Sequence, residues 1–202
     1  MTENPINASE VRRAEHPVDE IFLDRWSPRA MSGEEIAEAE LLTLFEAARW
    51  APSSYNNQPW RIMYARRGTT HWETFFDLLV EGNRAWAADA AALILFASKE
   101  TLDYNRKPYP THSFDTGAAW ENLALQGALK GLVVHGMQGF DYERARTALG
   151  IPAGYRVEAM AAVGRPGDPA RLPAPVRERE KPSDRKPLSE TVCEGPFRFE
   201  KP

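Results

Sequence analysis

The segment that most constrains the fold is residues 91–97, an apolar run with no alternation of polar and apolar side chains. A strand of this kind is hydrophobic on both faces, so both faces have to be covered by other parts of the chain. The sequence therefore predicts an inner sheet with a layer packed against each side.

Hydrophobic spacing elsewhere in the chain supplies these layers. Helical spacing predicts helices at 36–48, 72–79, 115–132 and 142–149, and apolar runs predict strands at 61–65, 133–137 and 156–164. Ser32 and Glu35 have the spacing of a capping box, which predicts that the first helix begins there at once; it ends before Pro52. The alternation of helices and strands indicates a mixed α/β fold.

Length and composition divide the chain into three parts. The 202 residues suit a single domain, which we assign to residues 20–190. Residues 1–19 are polar and without periodicity, and they predict a flexible N-terminal arm. Residues 165–187 are rich in proline and charge, which is typical of an extended strap, and residues 191–202 form a C-terminal tail.

Charge and cysteine content exclude several functional classes. The net charge of -4 and the lack of a basic stripe argue against a nucleic-acid partner. The single cysteine permits no disulfide framework, and no apolar segment suits secretion or a membrane span, so we expect a soluble, cytoplasmic protein. The four histidines are far apart and predict no metal site, and motifs for dinucleotides, nucleoside triphosphates and common hydrolases are missing.

One short motif suggests an anion site. Arg25, Ser27 and Arg29 occupy alternate positions, so in an extended segment their side chains point to the same side. Two guanidinium groups around a hydroxyl match the oxygens of a phosphate. The same trio could equally lie on a solvated loop.

Several motifs taken together resemble one family. They are R-x-S-x-R at 25–29, P-S-S-x-N-x-Q-P-W at 52–60, Asn83, G-M-Q-G-F-D at 136–141 and R-K-P-L-S-E at 185–190. In this order they resemble the FMN-dependent nitroreductases. The resemblance implies a nitroreductase-like, three-layer α/β (α+β) fold, with a central, mainly antiparallel sheet flanked by helices and an extended C-terminal arm.

The resemblance also implies a cofactor site. The basic residues near both ends of the chain would hold the FMN phosphate, and residues 52–60, here called the serine loop, would line the isoalloxazine. Asn83 would form a hydrogen bond with its pyrimidine edge, and the turn at 136–139 would approach N5. The implied FMN-binding residues are Arg25, Trp26, Ser27, Arg29, Pro52, Ser53, Ser54, Asn56, Asn83, Gly136, Met137, Gln138, Gly139, Arg185 and Lys186. Tyr55 and Trp86 are assigned to the substrate pocket.

The implied function is an FMN-dependent oxidoreductase. NAD(P)H would reduce the flavin at N5, and nitroaromatics, quinones or related acceptors would then oxidise it in a ping-pong cycle without a catalytic side chain. The resemblance further implies a homodimer with flavin sites at the interface. Small residues of the long helix, Ala119, Ala124 and Gly127 among them, would permit close approach to its mate.

Each assignment has an alternative. The protein could store or sense FMN without turnover, or be an α/β domain with no affinity for flavin. Gln58 and Trp60 could have a purely structural role in bracing their loop. The turn at 136–139 could be an ordinary connection, and Trp86 could lie in the core. The C-terminal strap could embrace a partner or fold on its own subunit.

Overall fold

The computed structural model describes residues 8–199. Four strands form one antiparallel sheet in the order β1-β2-β4-β3, with β2 and β4 in the middle. The strands are Trp60–Arg66 (β1), Ala92–Lys99 (β2), Val133–Met137 (β3) and Tyr155–Gly164 (β4).

Helices lie before, between and after the strands. They are Ala8–Val11 (α1), Ile21–Asp24 (α2), Glu38–Arg49 (α3), Trp72–Phe76 (α4), Glu81–Ala87 (α5), His112–Leu129 (α6), Tyr142–Ala148 (α7) and Ala174–Arg177 (α8). Single 3-10 turns occur at Ser54–Asn56, Pro169–Arg171 and Leu188–Glu190. Within the described residues, every helix is too short or too polar to cross a bilayer.

Strand β2 separates two hydrophobic cores. Leu93 and Leu95 belong to the core formed with α4 and α5, whereas Ile94 and Phe96 belong to the core formed with α3 and α6. All four side chains are at most 1% exposed. The predicted layered α/β fold, with a central antiparallel sheet flanked by helices, is confirmed.

Helix α6 packs closely on the sheet of its own chain. A Cβ atom on Gly127 would lie 2.5 Å from Cγ2 of Val134 in β3, so only glycine fits at this crossing. Ala119 and Ala124 are at most 1% exposed in the same core. The prediction that Ala119, Ala124 and Gly127 face a second subunit is wrong, because all three pack in the contact between α6 and the sheet of the same chain.

The predicted capping box is also wrong. Helix α3 begins at Glu38, and the hydroxyl of Ser32 accepts a hydrogen bond from the backbone N–H of Glu34 at 3.1 Å. Gly33 adopts φ +81°, in the left-handed region, so the chain turns there and cannot enter a helix directly. The motif forms a local turn instead of a helix start.

The strap runs beside the segment that follows Arg29. Its Arg165 carbonyl accepts from the N–H of Ser32 at 3.0 Å, and the N–H of Gly167 donates to Ala30 at 3.0 Å. A Cβ atom on Gly167 would lie 2.3 Å from the carbonyl carbon of Met31. The two backbones therefore approach as closely as they do only because residue 167 is glycine.

We predict that Gly167→Ala destabilises the protein by about 1–3 kcal/mol, because the added methyl forces the strap away from Met31. Gly82→Ala is the matched control, since a Cβ atom there would meet nothing within 4 Å. We expect the control to be as stable as wild type or up to about 1 kcal/mol more stable, because Gly82 lies in α5 and alanine favours the helix. Urea denaturation measures both, and equal stabilities of the two variants would contradict the close approach.

Candidate functional site

The predicted anion motif lies directly after α2. Arg25 has extended backbone angles (φ −63°, ψ 114°), and its Nη1 lies 3.4 Å from the hydroxyl oxygen of Ser27, to which it donates. Arg25 Nε lies 3.5 Å from Oε1 of Glu121 in α6. Arg25 and Ser27 thus share one side of the segment, as their alternate spacing predicts, and Trp26 between them is half-buried.

Arg29 is held by a carboxylate from the strap. The backbone N–H groups of Arg29 and Ala30 donate to Oε1 of Glu180 at 2.6 and 2.8 Å, and Nη1 of Arg29 lies 3.7 Å from Oε2. The Glu180 side chain is only 2% exposed. Because a buried carboxylate needs hydrogen bonds or a counter-charge, this contact fixes both the backbone and the guanidinium of Arg29.

The two ends of the chain meet around Arg12. This side chain is 7% exposed and donates to the carbonyls of Leu23 at 2.7 Å, Arg25 at 2.9 Å and Ser183 at 3.0 Å. Burial lowers the pKa of Arg12, and the positive charges of Arg185 and Arg25 lower it further. Arg25 and Arg185, which are 160 positions apart in the sequence, therefore lie near the same buried cation.

Lys186 is the outermost of the predicted basic residues. Its side chain is 74% exposed, and its Nζ lies 4.0 Å from Oε2 of Glu190. A pair this exposed contributes little to stability. The amine is therefore available to a ligand.

A second group of predicted residues surrounds the turn after β3. Asn83 of α5 donates through Nδ2 to the carbonyl of Gly139 at 3.0 Å, which leaves Oδ1 as the acceptor of that amide. A Cβ atom on Gly139 would lie 2.7 Å from this Nδ2, so glycine permits the contact. Met137 is buried and Gln138 is exposed.

His135 links the turn at 136–139 to residues 25–29, here called the arginine segment. Its Nδ1 lies 2.9 Å from the carbonyl oxygen of Pro28 and must donate, because a carbonyl can only accept. Burial lowers the pKa of His135, so the ring is neutral at neutral pH. Its ring centroid lies 4.5 Å from that of Trp86, which is 4% exposed in the core; a role for Trp86 in the substrate pocket stays a prediction.

Gly136 faces an indole ring. A Cβ atom there would lie 2.9 Å from the ring of Trp120 in α6. Within residues 8–199, the buried Nε1 of Trp120 has no hydrogen-bond partner. Packing inside the chain thus gives one reason for the glycine, and a flavin contact through its backbone stays a prediction.

The serine loop forms a third group at the start of α6. The carboxylate of Asp115, 4% exposed, accepts from the N–H of Ser54 at 3.0 Å and from the hydroxyl of Tyr109. Ser54 Oγ lies 3.0 Å from Oγ1 of Thr111, and Ser53 Oγ accepts from the N–H of Gln58 at 3.0 Å. These contacts fasten the loop to the helix.

The same loop carries unusual backbone angles. Tyr55, Asn56 and Gln58 have φ values of 56°, 51° and 48°, in the left-handed region that non-glycine residues seldom adopt. Such residues persist only where surrounding contacts determine them, and they concentrate at functional sites. Tyr55 is 79% exposed, with its ring 5.5 Å from Tyr104, and Pro52 and Asn56 are also exposed.

Helix α6 contacts all three groups, but on different sides. Asp115 holds the serine loop, Trp120 packs on Gly136 and Glu121 pairs with Arg25. At 3.6 residues per turn, Asp115 points about 140° away from Trp120 and about 120° away from Glu121. Among residues 8–199, no hydrogen bond or salt bridge joins the serine loop to the other two groups.

Sequence reasoning missed four residues that organise the site. Arg12 and Glu180 lie in segments without periodicity, and their partners are mostly backbone groups far away in the sequence. Asp115 and Trp120 lie on a helix that was predicted, and a polar residue on its apolar side was the available signal for Asp115.

Comparisons with known proteins identify similar sequences and structures. The model of the Nitroreductase family matches residues 23–71 and 67–165. A solved oxidoreductase containing FMN is 44% identical, with a TM-score of 0.91 over 99% of this chain and 100% of the other. A protein of Desulfovibrio desulfuricans solved in complex with FMN is 26% identical, with a TM-score of 0.69 over 92% and 100% of the two chains. An NADH dehydrogenase of Thermus thermophilus is 27% identical over 84% of this chain and 92% of its own length.

We predict that Tyr109 stabilises the protein in a pH-dependent way. Burial, and then its hydrogen bond to Asp115, raise the pKa of Tyr109 to about 12 from 10.0. Above about pH 10 the unfolded chain loses this proton while the folded chain keeps it. The free energy of unfolding should therefore fall between about pH 10 and 12, by up to roughly 3 kcal/mol.

Urea denaturation across this pH range tests the assignment. Tyr109→Phe should lack this part of the decline, whereas Tyr104→Phe, whose parent side chain is 64% exposed, should keep it. An identical decline in wild type and Tyr109→Phe would show that Tyr109 is not the group responsible.

Proposed function

Because the chain belongs to the nitroreductase family, we propose that it is an FMN-dependent oxidoreductase that uses NAD(P)H to reduce nitroaromatics, quinones or related acceptors. The observation that carries this proposal is that Arg12 donates to the carbonyls of Arg25 and Ser183, which holds the segments of Arg25 and Arg185 together from opposite ends of the chain. The FMN contained in two similar solved proteins supports the choice of cofactor.

The donor set fits a phosphate group. Arg25 and Ser27 present adjacent donors, Arg185 adds a second guanidinium, and Lys186 is an exposed amine nearby in the chain. Arginine and serine donors form short, charge-assisted or neutral hydrogen bonds to phosphate oxygens. Around Arg12, the positive charges of Arg25 and Arg185 are partly offset by the carboxylates of Asp24 and Asp184, and a phosphate dianion would offset them further.

The other two groups fit the ring of the cofactor. Asn83 keeps Oδ1 as an acceptor beside the turn at 136–139, and the buried Nε1–H of Trp120 lies next to Gly136. Ser53, Ser54 and Asn56 would line the isoalloxazine from a loop whose shape is already fixed. A preorganised loop loses little conformational entropy on binding.

The cofactor, when bound, supplies hydride transfer at its N5 atom. The protein would bind and orient it. Neutral His135 adds no positive charge next to the turn, and it holds the turn and the arginine segment in a fixed relation through Pro28. No nucleophile or general base is required in this role.

We further infer a homodimer with the flavin sites at its interface. The serine loop lies on a different side of α6 from Arg25 and Gly136, so one cofactor would draw its phosphate contacts and its loop contacts from two subunits. Exposed apolar side chains such as Phe114 (79%) and Leu129 (68%) on α6 are consistent with a partner there.

We predict that the purified protein is yellow and that Arg25→Ala combined with Arg185→Ala weakens FMN binding at least about a hundredfold, because each lost charged hydrogen bond costs about 1.5–3 kcal/mol. The matched control is Arg177→Ala with Arg179→Ala, which removes two exposed guanidiniums of the strap and should leave the affinity unchanged. Quenching of flavin fluorescence measures both dissociation constants. Equal affinities of the two double variants would refute the phosphate site.

Turnover separates an enzyme from a storage or sensor protein. Steady oxidation of NAD(P)H with a quinone or a nitroaromatic is expected of the enzyme. FMN binding without any such oxidation would favour storage or sensing, and a colourless protein without flavin affinity would reject both.

We predict that two defective variants complement each other. Ser53→Trp blocks the loop, and Arg25→Ala with Arg185→Ala removes the phosphate contacts, so each variant alone should bind little FMN. After unfolding and refolding together, about a quarter of the wild-type sites should return, since half of the dimers are mixed and each restores one of two sites. Analytical ultracentrifugation establishes whether the protein is a dimer. If FMN binding does not return in the mixture, the whole site lies within one subunit.

A further inference from the structure

Arg12 lies in the N-terminal segment, which the sequence predicts to be a flexible arm. Instead of reaching solvent, its guanidinium is buried and donates to three backbone carbonyls. Two of these, Leu23 and Arg25, belong to the segment that carries the anion motif. The third, Ser183, lies two residues before Arg185.

Within residues 8–199, the segments joined by these three bonds contribute no residue to either hydrophobic core cluster. Ser183 is 171 positions from Arg12, and the strap around it is mostly exposed. A planar guanidinium offers donors in several fixed directions, which suits it to bridging carbonyls on two strands of chain. The adjoining Arg13 differs, since its Nη1 donates only within the arm, to Ser9, Glu10 and Arg12.

A cavity of about 230 Å³ opens at this junction. Its charged lining consists of Arg12, Arg13, Arg185, Lys186 and the carboxylates of Glu15 and Asp184, and Arg25 lies outside this lining. The junction is therefore accessible on the side of the C-terminal basic residues. The charges of Arg25 and Arg185 are close enough to lower the pKa of Arg12.

We propose that Arg12 is a positioning residue for the cofactor phosphate, which brings Arg25 and Arg185 together by bridging the backbones that carry them. This rests on the proposed function, since it takes the phosphate of FMN as the ligand. Arg12 acts through the two arginines and is not itself assigned a contact with the cofactor.

The test compares Arg12→Gln with the matched control Arg13→Gln, using FMN as the probe and flavin fluorescence as the readout. We expect Arg12→Gln to weaken FMN binding at least about tenfold and Arg13→Gln less than about twofold. Wild-type protein that binds no FMN would reject the proposed function itself. Wild-type binding with equal affinities in Arg12→Gln and Arg13→Gln would reject only the role of Arg12.

A double-mutant cycle separates positioning from a general loss of stability. In an Arg185→Gln background, Arg12→Gln should raise the dissociation constant for FMN by less than about threefold, because one of the two residues that Arg12 positions is already gone. If Arg12→Gln still weakens FMN binding tenfold in that background, the proposal is overturned. If Arg12→Gln does not fold, Arg12→Lys takes its place in the same cycle, since lysine keeps the charge but lacks the planar guanidinium group. An Arg12→Lys variant that binds FMN with wild-type affinity would also overturn the proposal.

Discussion

The packing of one side of α6 against the sheet is the constraint from which the candidate site follows. Leu123 and Ala119 are fully buried there, and Gly127 lets the helix approach β3. Because this side is fixed, the directions of Asp115 and Glu121 are fixed as well. The helix therefore sets where the serine loop and the arginine segment stand relative to each other.

Buried charges help to hold the two ends of the described chain in place. Arg12 and Glu180 are both buried, and each forms hydrogen bonds with backbone groups of the segment around Arg25 and Arg29. A buried charge left without partners would destabilise the fold, so each contact specifies one arrangement of the two ends. An anion site built in this way exists only in the folded chain.

The serine loop is shaped by strain and by a buried carboxylate together. Three of its residues have left-handed backbone angles, and Asp115 holds the N–H of Ser54 while Tyr109 closes the contact. Each such angle is unfavourable by itself, so the network has to offset it. The loop thus reaches the cofactor, in the proposed function, already in its binding shape.

The sequence by itself determined the layered fold, because hydrophobic periodicity is local and β2 requires cover on both faces. It also determined the shared side of Arg25 and Ser27, which follows from alternation in an extended segment. Only the tertiary structure decided that Gly33 ends the capping motif in a turn and that Arg12 and Glu180 bind the arginine segment. Those outcomes depend on backbone angles and on partners as much as 171 positions away, which no local pattern encodes.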